Sequence, residues 1–574
     1  MLTREEYPRP QFRREAWQSL NGLWEFDFVQ GRPLDLQMPL TRQIRVPFSY
    51  QWEASGIGDT EVHEEMLYRR TFRISAENRD RRALLCFNAV DYACVVWVNG
   101  QAAIAHEGGF TPFHADITPL LREGENTLAV YCRDRQDAAL PRGKQTWIGR
   151  PFSCFYTANS GIWQSVWLEF FGEDCVERWS LQADTDRRAI TGFAETLRGE
   201  ADELELTASF RGQLLKRQRM SLNGRRVRFS LELDQAEFDF GDLLWWIDNP
   251  RLIDVEVRLL KNGEAVDTAR TRIGLRKISL RDGQILLNQV PLYQRLVLDQ
   301  GYWPESGLTP PSAEALRRDI RLAKDMGFNG ARKHQKFEDP YFYYYAEELG
   351  FLTWCEMPSA YIFCDREREA ITAQWQEIVA QARSFASVVA YVPLNESWGA
   401  REMKSDRQQQ AFAASLYYLT RSMDDTRIIS TNDGFENVRE SDILSIHDYS
   451  IRRADQFPKK YTGAYDGMFP QGWALFADGH RYQGQPVLFT EFGGIAFASD
   501  EQGKAWGYGD GAVDAEDLLQ RLRQLTDGIL QTGWQGYCYT QLTDVQQEVN
   551  GLLRADRTPK VPPEKLKEIF GRSR

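Results

Sequence analysis

The run VVAYVPLNE, residues 388–396, is an apolar stretch that ends abruptly on an amide and a carboxylate, and PVLFTE, residues 486–491, ends the same way on Glu491, 95 residues beyond Glu396. Short apolar runs bounded by turn signals are the mark of strands buried on both faces. Amphipathic stretches stand between such runs. The clearest is SAEALRRDIRLAKDM, residues 312–326: Pro310 and Pro311 precede it, Leu316, Ile320, Ala323 and Met326 form one stripe, and Gly327 ends it. Eight strand candidates follow Leu275: PLYQRLVLD, FNGARKH, FLTWCEM, VVAYVPLNE, RIISTND, DILSIHDY, PVLFTEF and GYCYTQL. Strands alternating with helices predict parallel βαβ units. At about 35 residues per unit, against the ~31 of a typical barrel, they predict a (β/α)8 TIM barrel over residues 275–574. An open doubly wound sheet is the alternative. It usually carries a GxGxxG or GxxxxGK[ST] turn, and neither follows any of these strands.

Upstream the grammar is different. Residues 1–175 read as strands with period-2 alternation, among them NGLWEFDF, MLYRRTFRI, ALLCFNAV, YACVVWVNGQAAIA, NTLAVYCRD and SGIWQSVWLEFF, with Asn99-Gly100 as a tight hairpin turn. This predicts a jelly-roll β-sandwich. Residues 176–274 carry a second strand series, LELTASF, RRVRFSLEL and LIDVEVRLLKNGEAVDTARTRIG, with Asn262-Gly263 as its hairpin, which suits an immunoglobulin-like β-sandwich. Neither segment shows a catalytic constellation.

Size and composition agree with this multidomain plan. A chain of 574 residues is too long for one hydrophobic core. Aromatic residues make up 13% of it, which suits sandwich cores and also the flat platforms on which sugars stack. The net charge of −12, with no basic stripe, argues against a nucleic-acid partner. No segment approaches the ~20 apolar residues of a membrane span, and the N-terminus has no apolar leader core. The eight Cys residues form no CxxC pair and several lie within strands, so reduced thiols and a cytoplasmic location are expected. None of the six His residues sits in an HExxH spacing, and no metal or other cofactor is expected.

In such a barrel the chemistry lies where strands run out into the following loops. Glu396 and Glu491 close the fourth and seventh strand candidates, and three βα units of ~31 residues would separate them by about the observed distance in sequence. A carboxylic acid at a leaving oxygen and a carboxylate at an anomeric carbon are what glycoside cleavage needs. Asn395 is placed to bond a sugar 2-OH, and Gly493 and Gly494 would let the following loop lie against the sugar. Acids at strand ends also cap helices or pair with Arg. Asp299, Glu356, Asp433, Asp448 and Asp544 are therefore competitors, and Glu356 could displace either choice. His334 and His447 read as hydrogen-bonding groups of the cleft or as buried structural residues. Trp303, Trp354, Trp398 and Trp534 are candidates to stack on sugar or to fill core.

The order of two sandwiches and a barrel, with the phrases AWQSLNGLWEFDF, VPFSYQWE, VWVNG, NSGIWQSVWLEFF, LNESWG and FTEFGG, resembles glycoside hydrolase family 2 along essentially the whole chain. The resemblance implies a retaining exo-β-glycosidase with Glu396 as acid/base and Glu491 as nucleophile, acting on a terminal β-linked sugar of an oligosaccharide or glycoside. It also implies that Tyr449 touches the nucleophile and that Arg332 helps hold Glu491 anionic, with Glu356 and His447 as further matches. Homo-oligomers are common in that family. Departures bear on the sugar. Arg332 is followed by KHQKFEDP, with His334 displaced by one place from the family pattern. Thr540 and Gln541 stand where a pocket Trp is usual. QEVNGLLRADR lacks the Asn-Lys pair with which β-glucuronidases hold a uronate, so that specificity is disfavoured. A β-galactoside is the first expectation, with β-glucoside, β-mannoside or a pentoside behind it. The rivals are a carbohydrate-binding protein without catalysis, which has no need of a matched acid pair, and a barrel enzyme for phosphate-bearing substrates, for which FTEFGG lacks a Lys.

Overall fold

The computed structural model describes residues 4–233, 239–461, 465–497 and 506–573. The first sandwich packs a six-stranded antiparallel sheet, whose central strands are Glu65–Arg73 and Glu125–Arg133, on a four-stranded sheet centred on Arg82–Phe87 and Val166–Phe171. Its core interleaves Trp24, Tyr68, Leu85, Val96, Val130 and Leu168, which alternate with outward side chains along their strands. The second sandwich, from Val176 to Ile273, packs a three-stranded sheet on a four-stranded one around Ile190, Leu206, Leu231 and Val257. At Asn262-Gly263 both residues have positive φ, 52° and 84°, as a two-residue hairpin turn demands.

The third unit is the parallel barrel. Its strands are Gln294–Asp299, Gly330–Lys333, Leu352–Glu356, Val388–Val392, Ile428–Ile429, Leu444–His447, Val487–Gly493 and Gly536–Thr540. Ladder pairing runs unbroken from the fifth strand back to the first, then through the eighth and seventh to the sixth. The remaining seam is closed by single bonds: Asp442 N donates to Ile429 O at 2.9 Å, and the Ser430 and Ser445 hydroxyls meet at 3.4 Å. Inside, Leu296, Leu298, Trp354, Val392, Ile428, Leu488 and Cys538 fill the barrel. Ile278, Ile285 and Leu287, from a small antiparallel sheet preceding the first strand, join this cluster. The barrel is therefore a packed core rather than a pore, and its C-terminal end is left for chemistry.

The helix at 312–326 forms as read. It spans Ala313–Asp325, Ser312 Oγ caps Ala315 N, and Leu316, Ile320 and Ala323 are buried. All eight cysteines are free thiols; Cys154 and Cys364 are half-buried and the others buried. No described helix is long and apolar enough to cross a membrane.

Candidate active site

Proline at 393 cannot donate to a ladder, and the fourth strand breaks there. It resumes as Leu394–Asn395, pairing in parallel with Asn432–Asp433 beyond the fifth strand. This offset brings Asn395, Glu396 and Asp433 to the barrel mouth together. The backbone then turns through two left-handed residues, Glu396 and Ser397, each at φ 52°. Non-glycine residues adopt this region at a cost of about 1 kcal/mol or more, so neighbouring contacts must hold it. Glu396 N donates to Asp433 O at 2.9 Å, Ser397 N to Asn432 Oδ1 at 2.9 Å, and Ser397 Oγ to Glu436 Oε2 at 2.6 Å.

Arg332, fully buried at the end of the second strand, organises the floor. Its guanidinium donates to Glu356 Oε1 at 2.6 Å, Thr490 O at 2.8 Å, Glu491 Oε1 at 3.2 Å and Asn395 Oδ1 at 2.9 Å, and forms an ion pair with Asp433 Oδ2 at 2.8 Å. One planar cation thus touches residues from four strand ends. Glu356, the strongest competitor, is committed to this scaffold: its other oxygen lies 2.8 Å from His334 Nδ1 and accepts from Gln335 N at 3.0 Å. The remaining competitors are likewise engaged, Asp299 with Lys333, Asp448 with Lys460 and Tyr461, and Asp544 with Lys560.

His447 stands between the two glutamates. Nδ1 lies 2.8 Å from Glu396 Oε1 and 3.5 Å from Glu491 Oε2, while Nε2 lies 3.0 Å from Asp433 Oδ2. The ring fits because position 434 is Gly at φ 113°; a Cβ there would sit 2.6 Å from Nδ1. Tyr449 donates its hydroxyl to Glu491 Oε2 at 2.6 Å and stands 2.8 Å from Thr540 Oγ1. Its ring stacks on Tyr508 with centroids 3.5 Å apart.

The electrostatics follow from this crowding. Burial alone would depress the His447 imidazolium, but Glu491, Asp433 and Glu396 raise it to about 10. Burial would push the Glu396 carboxyl up; the His447 hydrogen bond and charge, with Lys144 and His334, bring it down to about 2. Asp433 is lowered by Arg332 and His447 against its own burial, and Glu356 by Arg332 and His334. His334 is lowered, chiefly by burial. In the resting site one proton is held on the His447–Glu396 couple, written as imidazolium and carboxylate. Carboxylate oxygens of Glu396 and Glu491 and a nitrogen of His447 all lie within 4.8 Å of one another. These three could ligate a divalent ion, although the Arg332 guanidinium and the charged imidazole oppose one.

The remaining sequence candidates divide. Trp398 lies beside Glu396, half-buried under the Arg401 guanidinium at 4.2 Å, and its Nε1 is buried without a partner among the described residues. Gln541 is fully buried, its Oε1 accepting from Gln300 at 2.9 Å and its Nε2 unpartnered. Trp354 and Trp534 are core residues, bonded to Gln294 and Tyr465, and Trp303 packs under Arg557. Asn395 gives its carbonyl to Arg332, which leaves its NH2 for a ligand. One expectation needs correction. Gly493 and Gly494 serve aromatic packing instead of close approach of sugar: a Cβ would lie 2.4 Å from the Tyr539 ring at 493 and 2.4 Å from the Tyr508 ring at 494.

Several participants had no local signal. Tyr508 enters from the loop after the seventh strand. Lys144 arrives from the first sandwich: Arg142 N and Gly143 N donate to Ser359 O at 2.9 and 3.0 Å, seating the loop on the barrel. Lys144 is 9% exposed; burial would lower its ammonium, but Cys154, Glu548, Glu491 and Glu396 raise it.

Residues 17–169 match the sugar binding domain of glycosyl hydrolases family 2, and residues 189–276 match a second domain of the same family. The chain thus carries two domains of glycosyl hydrolases family 2. Among curated relatives, it is 23% identical over 629 residues to a β-galactosidase of Leuconostoc mesenteroides, covering 97% of this chain and 56% of that one. It is 23% identical over 400 residues to a β-galactosidase of Thermoanaerobacter pseudethanolicus, covering 66% of this chain and 50% of that one. The chain thus spans about half the length of those relatives. A β-glucuronidase structure from Ruminococcus gnavus superposes with a TM-score of 0.77 over 99% of both chains at 19% identity, the same three-part fold.

Proposed function

We propose that this chain is a retaining exo-acting β-glycosidase, with Glu491 as nucleophile and Glu396 as acid/base. The observation that carries the proposal is the short separation of the two carboxylates. Oxygens of the two approach within 4.8 Å, which leaves no room for a water between the second carboxylate and the anomeric carbon, as inversion would require, and suits direct attack by that carboxylate. Arg332 donates to one oxygen of Glu491 and Tyr449 to the other, which fixes the carboxylate for attack. Glu396, with 22% of its side chain exposed, faces the opening where a leaving group would depart. As the glycosidic bond breaks, the proton stored on the His447–Glu396 couple passes to the leaving oxygen through Glu396, and Glu491 closes on the anomeric carbon. In the second half Glu396 takes a proton from water, which releases the sugar. Asn395 Nδ2 is free among the described residues to bind the 2-OH.

The relatives carry the names β-galactosidase and β-glucuronidase. β-Galactosides are the first substrates to test, beside β-glucuronides, β-glucosides, β-mannosides and β-pentosides. A nitrophenyl panel is the experiment, with Glu396→Gln and Glu491→Gln run in parallel. One β-glycoside should be cleaved with retention, both variants should lose at least ~10⁴ in kcat, and a 2-fluoro glycoside should label Glu491. Inverted product, or full activity in Glu491→Gln, would sink the proposal.

A further inference from the structure

The sandwich loop that brings Lys144 to the site also carries Trp147, Phe152 and Phe155, which meet Tyr361 and Trp398 of the barrel in one aromatic cluster. Trp147 stacks on Tyr361 at 4.1 Å. Phe155 lies edge-on to Trp147 at 4.8 Å, to Tyr361 at 5.1 Å and to Trp398 at 5.6 Å. Phe152 meets Trp147 at 5.2 Å. Unlike the aromatic cores of the sandwiches, this cluster reaches the surface: Trp147, Phe152, Tyr361 and Trp398 are only partly buried, and Ile148 and Ile362, each 50% exposed, follow its two stacked rings.

Its position gives it an occupant. Trp398 is two residues past Glu396 and touches Phe155 and Tyr361, which brings the wall next to the acid/base, the residue that meets the leaving group. The buried Trp398 Nε1 has no partner among the described residues and would cost about 1–3 kcal/mol unless something accepts its proton. A glycoside's leaving-group oxygens can. Flat apolar faces, a pyranose C–H face or an aryl ring, are what aromatic side chains stack on.

Resting on the glycosidase reading above, we propose that the loop of residues 142–156 completes the leaving-group subsite, and that this wall selects substrates whose leaving group presents a flat apolar face. The sugar being transferred makes no use of it. The sandwich domain thereby sets aglycone preference, and the barrel sets the chemistry.

The test separates leaving group from sugar. With the preferred sugar held constant, kcat/KM is measured for methyl, phenyl and disaccharide β-glycosides in wild type, Trp147→Ala and Trp147→Phe. Trp147→Ala should lose about 10-fold or more on the phenyl substrate, the disaccharide or both, with less than about threefold on methyl, and Trp147→Phe should restore most of it. Which substrate suffers identifies the face as aryl or sugar. Hydrolysis of a trapped 2-fluoroglycosyl-enzyme by water should be unchanged, since the leaving group has already gone, while its reactivation by phenol or glucose acceptors should fall. Equal losses on all three substrates would overturn the proposal, as would no loss on any. Calorimetry with phenyl and methyl 1-thio-β-glycosides gives a readout independent of turnover. Tighter binding of the phenyl compound, erased by Trp147→Ala, is expected; equal affinities in wild type would also overturn the subsite. A wild type that binds with this preference but cleaves no glycoside would sink the glycosidase reading alone.

Discussion

His447 Nδ1 lies 2.8 Å from Glu396 Oε1, close enough for a proton to pass between them. The imidazolium is raised to about 10, so the couple keeps that proton through neutral pH and releases it only as pH rises toward 10. An acid required in the reacting form makes kcat/KM fall on the alkaline side, where the acid deprotonates. His447→Gln can still donate a hydrogen bond to Glu396 but stores no mobile proton. The alkaline limb should then move down by ~2 units or more, so that kcat/KM falls at least about twofold at pH 8 and about 50-fold at pH 10. The shift should be largest for poorly activated alkyl leaving groups, which need protonation most. A limb unmoved in the pH–rate profile would show that Glu396 titrates independently of His447.

The 2.6 Å bond from Tyr449 fixes one oxygen of Glu491, and Arg332 holds the other. Tyr449→Phe keeps the ring and its stack on Tyr508 but removes the donor. Loss of one such donor should cost about 10²–10³ in kcat with little change in KM. Pre-steady-state kinetics should place the loss in both glycosylation and deglycosylation, because Glu491 attacks in one and leaves in the other.

The barrel was legible because its strands announce themselves. Each is a short apolar run, and Glu396 and Glu491 stand out because carboxylates end two of them. Arg332, Glu356, His447 and Tyr449 could be named from motif likeness, but their connectivity could not. That Asn395 turns its carbonyl to Arg332 depends on the break at Pro393 and on pairing with Asn432–Asp433, which no local pattern encodes. Asp433 looked like one acid among several until a buried guanidinium and an imidazole converged on it. Lys144 and Trp147 lie more than two hundred residues from the barrel residues they approach, in a segment that reads simply as irregular chain between strands. The roles of Gly493 and Gly494 were misread for a related reason: a glycine reports that something comes close, not what.

Removing Arg332 should unfold the site before it informs on catalysis. Arg332→Met leaves Glu356, Asp433 and Glu491 without a shared buried cation, and breaking such a network typically costs ~3–5 kcal/mol. Thermal melts should show a lower Tm for the barrel, and Arg332→Lys should recover little of it, since a point charge cannot reach acceptors on four strand ends. Raising the pH should not rescue the variant, because the stranded acids are then more fully ionised. Mild acidification should narrow its deficit against wild type. A melt indistinguishable from wild type at pH 7 would mean that the acids relax to water.

Two glycine substitutions separate backbone strain from domain seating. Gly143 has φ 59°, and a Cβ there would lie 2.2 Å from the backbone oxygen of Gln335, so Gly143→Ala must lift the sandwich loop off the barrel. Gly100, in the hairpin of the same domain, has φ 80° with nothing within 4 Å of the added atom. Both substitutions carry the intrinsic left-handed cost of about 1–2 kcal/mol. Only Gly143→Ala should also disturb the site, because the loop it lifts holds Lys144 and the aromatic wall beside Glu396. A lowered Tm in both variants is expected, with kcat/KM on an aryl glycoside falling about 10-fold or more in Gly143→Ala alone. Full activity in Gly143→Ala would show that the loop's seat on Ser359 and Gln335 has no bearing on the reaction, whereas equal losses in both variants would trace the defect to the sandwich as a whole.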